Sequence, residues 1–325
     1  MFADAKMNDT HRLAAVNSIN WARILAQITY YFYSYFTLLR SNPSITTQGL
    51  RFVVPTGNFG DILAGYFAKR MGLPIEKLVI ATNENDILHR FWQTGKYEKK
   101  PAVPTPHQNG QYVHDLPAED KHVDGVKETL SPAMDILVSS NFERLLWFLS
   151  YEVHGEGHSV QERRKIAGQH VKSWLNELKS SGGFAVDEKI IDAARNAFES
   201  ERVSDEQTIV TIKEVYGWSG TSSQPGHYIL DPHSAIGVAA ALRSHERAKT
   251  SLHVSLSTAH PAKFSHAVEL ALSNEKGFNF KSVLPEQFVG LVDLPRRVTD
   301  VKKSEGLDGL RALIIRKVDQ EKEGR

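Results

Sequence analysis

The chain has no cysteine among its 325 residues, so it can form no disulfide, no thiolate metal site and no thiol nucleophile. That absence fits a cytosolic compartment. Neither charge is in surplus, with 39 basic residues against 38 acidic ones and a net charge of +1. A nucleic-acid binder depends on concentrated positive charge, so the near-balance argues against that class. No hydrophobic run is long enough to cross a bilayer. The most apolar window, Ile24 to Leu39, is shorter than the roughly 20 residues required and is interrupted by Gln27, Thr29 and Ser34. Rich in aromatic residues, it reads instead as a buried helix. No targeting segment, internal repeat or low-complexity tract is evident, and the histidines show no HExxH or paired-ligand spacing, so zinc is not expected.

What is present is the composition of a soluble globular protein, 41 % apolar and 24 % charged, long enough for one large or two ordinary domains. The stretch VVPTGNFGD, residues 53–61, runs from a β-branched strand through a glycine-flanked loop into an amphipathic helix. In such a loop the backbone amides and the positive helix end face one space, which favours an anion there without any lysine. The helix closes on Lys69, Arg70 and Gly72, and a second strand follows at Leu78 to Thr82. That spacing predicts a parallel crossover and an α/β core. A helix over about Glu84 to Gln93 stops at Gly95, and Lys99 to Asp120 is polar and proline-rich, a linker or surface loop. The middle is mainly helical, with Ser204 and Gln207 forming a capping box. A second strand, loop and helix unit returns at His253 to Ser257, followed by Thr258 and a helix through Phe264, Val268 and Leu270. Ligands of open α/β sheets sit at the carboxyl ends of strands, so the loops at Gly57 and Thr258 are expected to face one cleft. The parts divide as 1–98, a linker at 99–125, a helical region at 126–222 and a second α/β part at 223–325.

Several polar residues have two readings. Asn17, Ser18 and Arg23 in VNSINWAR offer short donors and a guanidinium fork suited to phosphate oxygens, or else a helix cap and a surface ion pair. Ser234 in DPHSAIG reads as a cap, and His233 as a ligand, a general acid or, preferably, a packed loop residue. Thr258 closes a strand, and its hydroxyl is either a neutral partner for a heterocyclic nitrogen or a group satisfying its own turn. Lys263 suggests an amine nucleophile but fits a solvated charge better. His260 has no assigned role.

The stretches AVNSINWARILAQ, FVVPTGNFGDILAGYFAKRMGLP, IATNEND, ETLSPAMDILVSSNFERLLW, DPHSAIG and LSTAHPAKF together resemble threonine synthase of the fungal type, in that family's order and across nearly the whole chain. The resemblance implies a tryptophan-synthase-β-like fold of type II: an open, mainly parallel sheet with helices and a largely helical insertion. It implies pyridoxal phosphate as cofactor and the conversion of O-phospho-L-homoserine and water to L-threonine and phosphate, in the cytoplasm. By matching position, Gly57, Asn58, Phe59, Gly60 and Asp61 would cradle the cofactor phosphate and Thr258 would bond its pyridine nitrogen. Asn17, Ser18 and Arg23 would hold the substrate phosphate. The oligomeric state is not implied.

One feature of the family is not found in this sequence. Its Schiff-base lysine lies in a Phe-Lys-Asp segment, followed by a Ser-Gly-Asp-Thr-Gly loop, both ahead of the AVNSIN stretch. Neither occurs among the residues before Ala15. The expectation is therefore a C-terminal portion without catalytic lysine, with an apolar face or strand edge exposed and a tendency to instability. The rival readings are an inactive phosphate-binding or regulatory chain and, less favoured, another enzyme of the fold such as a serine or threonine dehydratase.

Overall fold

Strand β1 (Leu50–Pro55) is buried over its whole length in the computed structural model, which describes residues 4–11, 17–41, 49–99, 125–218, 227–296 and 298–323. A strand with no exposed face belongs inside a sheet covered on both sides. Strands β2 (Ile75–Thr82), β5 (Phe198–Arg202) and β6 (Leu252–Ser255) complete a four-stranded sheet in the order β5, β2, β1, β6. Every pairing in it is parallel, with Phe52 opposite both Leu78 and Val254. A separate antiparallel pair joins β3 (Lys96–Glu98) to β4 (Gly183–Ala185).

Side chains alternate along β1, and each face has its own helical layer. Phe52 and Val54 face a large core with residues of helices α2 (Trp21–Ser41), α3 (Gly60–Arg70), α4 (Ile87–Thr94), α5 (Phe142–Val153) and α7 (Glu188–Ala197). Helix α6 (Val160–Ser180) adds Leu178. Val53, Val79 and Ala81 face the other way, onto Ile236, Ala239 and Ala240 of helix α9 (Pro232–Arg247). Helices α8 (Asp205–Gly217) and α10 (Ser265–Leu272) close a third cluster through Ile212, Val215, Val268 and Leu272. Each fully buried aliphatic side chain contributes about 1.5–3 kcal/mol, so the doubly covered sheet is the main stabilising feature. This α/β arrangement forms one compact unit, residues 18–283. Residues 1–17 and 284–325 form another, with helices α1 (Ala5–His11) and α11 (Gly306–Glu323) and an Asp4–Arg311 ion pair at 2.6 Å.

Several local expectations meet the structure directly. The Ser204–Gln207 capping box is formed in both directions, and Gly95 ends α4 with φ +73°. Others need correction. The aromatic helix α2 is not buried: it encloses only Ile24, Tyr31 and Tyr35, and Leu25, Tyr33 and Phe36 are exposed. Asp231, not Ser234, caps α9, because its carboxylate accepts the amides of both His233 and Ser234. β6 ends at Ser255, so Thr258 follows the strand by three residues and does not close it. Helix α4 begins at Ile87, three residues after Glu84, and Leu270 of α10 is exposed. The helical middle contributes a strand, β5, to the main sheet. The linker expected at 99–125 lies almost wholly outside the described residues. Among the described residues no helix is long and apolar enough to cross a membrane, and no cluster of three or more histidine or acidic side chains could hold a metal.

Helices α2 and α3 meet at a glycine. A Cβ on Gly65 would lie 2.5 Å from the ring of Tyr31 and 2.9 Å from Leu78, both fully buried. Gly65→Ala is therefore expected to destabilise the chain by about 1–3 kcal/mol, the cost of overpacking a closed core. Urea denaturation checks it: an unchanged midpoint would mean that the α2 and α3 contact is not tight.

Candidate active site

The turn from β1 into α3 fixes the site. Phe59 has φ 63° and ψ 6°, the one described non-glycine residue in the left-handed region. For a bulky aromatic residue this conformation costs roughly 1–3 kcal/mol and persists only where surroundings hold it. Here the ring is buried against Trp92, Phe142 and Phe198, with centroids 6.1, 5.5 and 6.0 Å away. With Phe59 anchored below, the backbone from Gly57 to Asp61 lines the cleft above and leads into the amino end of α3. Gly57 has no room for a side chain, because a Cβ would stand 3.0 Å from the Met134 Cα. Backbone amides of a strand–loop–helix turn, with the helix dipole behind them, make an anion cradle. With its ring buried, Phe59 presents only backbone to the cleft.

The cleft measures about 740 Å³. It brings together Ser18, Arg23, Gly57, Asn58, Phe59, Gly60, Asp61 and Thr258, residues drawn from three distant parts of the sequence. Asn17, the remaining candidate, is an exposed bend residue and belongs to the other unit. Arg23 is exposed on the first turn of α2, and among the described residues its guanidinium has no hydrogen-bond or ion-pair partner. The surface ion pair allowed for it by the sequence is therefore not made. Its successors on the same helical face, Gln27, Tyr30 and Ser34, also line the cleft. No lysine does so among the described residues, and Lys263 is exposed elsewhere.

Asp61 lines the cleft near the start of α3, and its main-chain carbonyl accepts the Tyr31 hydroxyl at 2.8 Å. Burial pushes its carboxyl up to about 6, against the lowering effect of the Tyr31 hydroxyl.

Opposite, the cleft wall rests on Asp231. Burial pushes its carboxyl up, but hydrogen bonds from His233 and Ser234 outweigh that and hold it below the usual carboxylate range. The Ser234 hydroxyl donates to Asp231 and accepts the Thr258 amide at 3.3 Å, which fixes the backbone that presents the exposed Thr258 side chain. His233 Nε2 accepts the Ala133 amide at 3.2 Å, so its proton lies on Nδ1, 3.2 Å from the Asp231 carboxylate. Both ring nitrogens are thus engaged. His233 holds the Pro132–Met134 turn against Gly57 and is a wall residue, in line with the packed reading. His260 caps the next turn by accepting the Ala262 amide.

Sequence reasoning assigned no role to Ser140, Asn141 or Arg144. Asn141 is fully buried and donates through Nδ2 to the carbonyls of Asn58, at 2.7 Å, and Ser18, at 3.0 Å. Arg144 donates to Asn141 Oδ1 and to the Ile19 carbonyl, each at 2.7 Å, and lies over the Trp21 ring. These partners are far apart in sequence, and no local spacing signals them. The available hint was the polar run Ser139, Ser140, Asn141 just before an amphipathic helix.

A family model described as the C-terminal part of threonine synthase matches residues 234–314. The threonine synthase of Saccharomyces cerevisiae is 49 % identical over 308 residues, covering 94 % of this chain and 53 % of that protein. The crystal structure of the yeast enzyme superposes with a TM-score of 0.78 at 48 % identity, over 96 % of this chain and 55 % of that one. A pyridoxal-phosphate-bound threonine synthase from Brucella melitensis gives 0.69 at 40 % identity, over 93 % and 52 %. The chain spans about half the length of the curated relatives it matches. Along almost all of its length the chain is similar to about half of a threonine synthase, and it has the fold of those enzymes, type II among pyridoxal phosphate enzymes.

Proposed function

We propose that the chain supplies the phosphate-holding part of a threonine synthase site, which binds pyridoxal phosphate and converts O-phospho-L-homoserine and water to L-threonine and phosphate. The observation that carries this reading is the convergence of Ser18, Arg23, Gly57–Asp61 and Thr258 on one cleft. The chain fits the cofactor: the glycine-flanked cradle takes its phosphate, and the Thr258 hydroxyl is a neutral partner for its pyridine nitrogen. When bound, the cofactor supplies an electron sink for charge that develops on the substrate carbons. Arg23 and Ser18, and by matching position Asn17, hold the phosphate of the substrate, which leaves as the product anion. A guanidinium without a carboxylate partner is available for that task. Residues 1–98 carry the cradle and the substrate-phosphate residues, 223–325 carry Thr258, and 126–222 is an insertion between them. The site works on a small molecule, in the cytoplasm.

No lysine lines the cleft among the described residues, and this favours a second reading in which the chain by itself binds its phosphate ligands without covalent attachment or turnover. Adding pyridoxal phosphate to the purified chain, reducing with borohydride and weighing the product separates the two. We expect reversible binding and no added mass on any lysine. A reduced adduct on one specific lysine would show that a covalent amine is present after all.

Arg23→Ala removes a charge-assisted contact worth about 1.5–3 kcal/mol, so affinity for O-phospho-L-homoserine should fall about tenfold or more by calorimetry, with pyridoxine 5′-phosphate binding unchanged. Equal substrate affinity in the variant would remove Arg23 from the site.

Asp61 makes stability depend on pH. Its carboxyl titrates near 6 in the folded chain against an ordinary value of 3.8, so between those values the folded state holds the extra proton. Stability falls as pH rises through this window, and the full cost is present above about pH 6. Asp61→Asn removes the cost. It should stabilise the unliganded chain by about 1–3 kcal/mol at neutral pH and much less near pH 4. Urea midpoints at the two pH values test this, and an equal gain at both would rule out the carboxyl as the cause.

A further inference from the structure

The two anion-holding segments of the cleft, the Gly57–Asp61 cradle and the Ser18–Arg23 segment, lie about forty residues apart in sequence and are tied to each other by a hydrogen-bonded bridge. The bridge is Ser140–Asn141, at the start of α5. Asn141 makes its two carbonyl contacts through a single amide nitrogen, to Asn58 on one side and Ser18 on the other, and its own backbone amide adds a second bond to the Asn58 carbonyl at 3.2 Å. Beside it runs a relay of side chains. Ser140 Oγ donates to Asn58 Oδ1 at 3.1 Å and stands 3.0 Å from Ser18 Oγ. The amide cannot turn over, because Arg144 donates to Asn141 Oδ1 and so commits the nitrogen to the two carbonyls. Arg144 also holds the Ile19 carbonyl, one residue beyond Ser18. Gly60 packs next to the bridge: a Cβ there would be in ordinary van der Waals contact with Asn141 Nδ2 at 3.5 Å and the Ser18 carbonyl at 3.6 Å.

We propose that Ser140 and Asn141 are positioning residues that couple the two ligand sites, so that filling the cofactor-phosphate cradle tightens binding of the phosphorylated substrate at Ser18 and Arg23. The proposal rests on the functional reading above. Its physical basis is that the Asn58 carbonyl and the Ser18 carbonyl share one donor. A ligand that immobilises the Asn58 loop fixes Asn141 and, through it, the segment that receives the second anion, which then loses less freedom on binding. By linkage the effect is reciprocal.

Titration calorimetry on the chain as it stands tests this with two probes. Pyridoxine 5′-phosphate, which has no aldehyde to react with an amine, fills the cradle, and O-phospho-L-homoserine fills the other site. In the unaltered chain, saturating pyridoxine 5′-phosphate should tighten O-phospho-L-homoserine about fivefold or more. In Asn141→Ala that factor should drop towards one, with pyridoxine 5′-phosphate alone still bound within about threefold of the unaltered chain. A merely structural role would weaken both ligands together and leave their ratio intact. Should Asn141→Ala fail to fold, Ser140→Ala breaks the side-chain relay on the surface of the bridge and should lower the factor in the same direction. Two ligands that bind independently in the unaltered chain, or a factor that both variants leave unchanged, would overturn the coupling while the functional reading stands. Failure of both ligands to bind the unaltered chain would overturn the functional reading, and the coupling with it.

Discussion

A single backbone reversal, the left-handed turn at Phe59, is the constraint on which the rest of the site depends. It lets β1 run straight into α3 with the Gly57–Asp61 backbone along the cleft and the Phe59 ring underneath. The strain of roughly 1–3 kcal/mol is offset by burying an aromatic ring, worth about 1.5–3 kcal/mol, against Trp92, Phe142 and Phe198. Those three rings come from α4, α5 and the first residue of β5, so three elements must be in place before the cradle can hold its shape. Phe142 follows Asn141 directly. The same few residues therefore support the cradle from below and tie it sideways to Ser18.

Much of the fold was legible in the sequence because its signals are local. A β-branched run that ends at a glycine loop, a basic last turn followed by glycine, and a capping box at Ser204 and Gln207 each depend on residues within a few positions of one another. What was misread depends on partners outside that range. Helix α2 has apolar residues on more than one face, the composition of a buried helix, yet only the Ile24, Tyr31 and Tyr35 face meets α3 and the sheet. The strand Phe198–Arg202 reads as charged because Glu199 and Glu201 alternate with the inward Phe198 and Ser200, and the exposed Arg202 ends it. It becomes a strand through pairing with β2, and it lies at the sheet edge, where outward charge is tolerated.

The candidate site was legible in a different way. Gly57–Asp61 can be argued as an anion cradle from its own spacing, but Ser18, Arg23 and Thr258 each had an equally good local explanation. Their convergence on one cleft is what supports the ligand-holding reading proposed for them. His233 shows the converse. A histidine beside an aspartate in a presumed cleft suggests acid–base chemistry, and only the Ala133 amide on its second nitrogen shows that the ring is committed to structure.

Strand polarity separates charge that serves the fold from charge that serves the site. At the amino end of β1, Arg51 is buried between Glu76 and Glu199, with the Ser244 hydroxyl also in contact. A buried guanidinium needs this full set of partners, because leaving it unpaired would cost several kcal/mol. Six residues along, at the carboxyl end of the parallel strands, the requirement reverses. Here the cleft is lined by the Gly57–Asp61 backbone and by Arg23, whose guanidinium has no partner among the described residues. Parallel pairing puts the ends of β1 and β6 on the same side, so the loops after both strands reach one cleft without any distortion of the sheet. The ion cluster at the far end can then be made complete and rigid, since nothing in the cleft requires those charges to move.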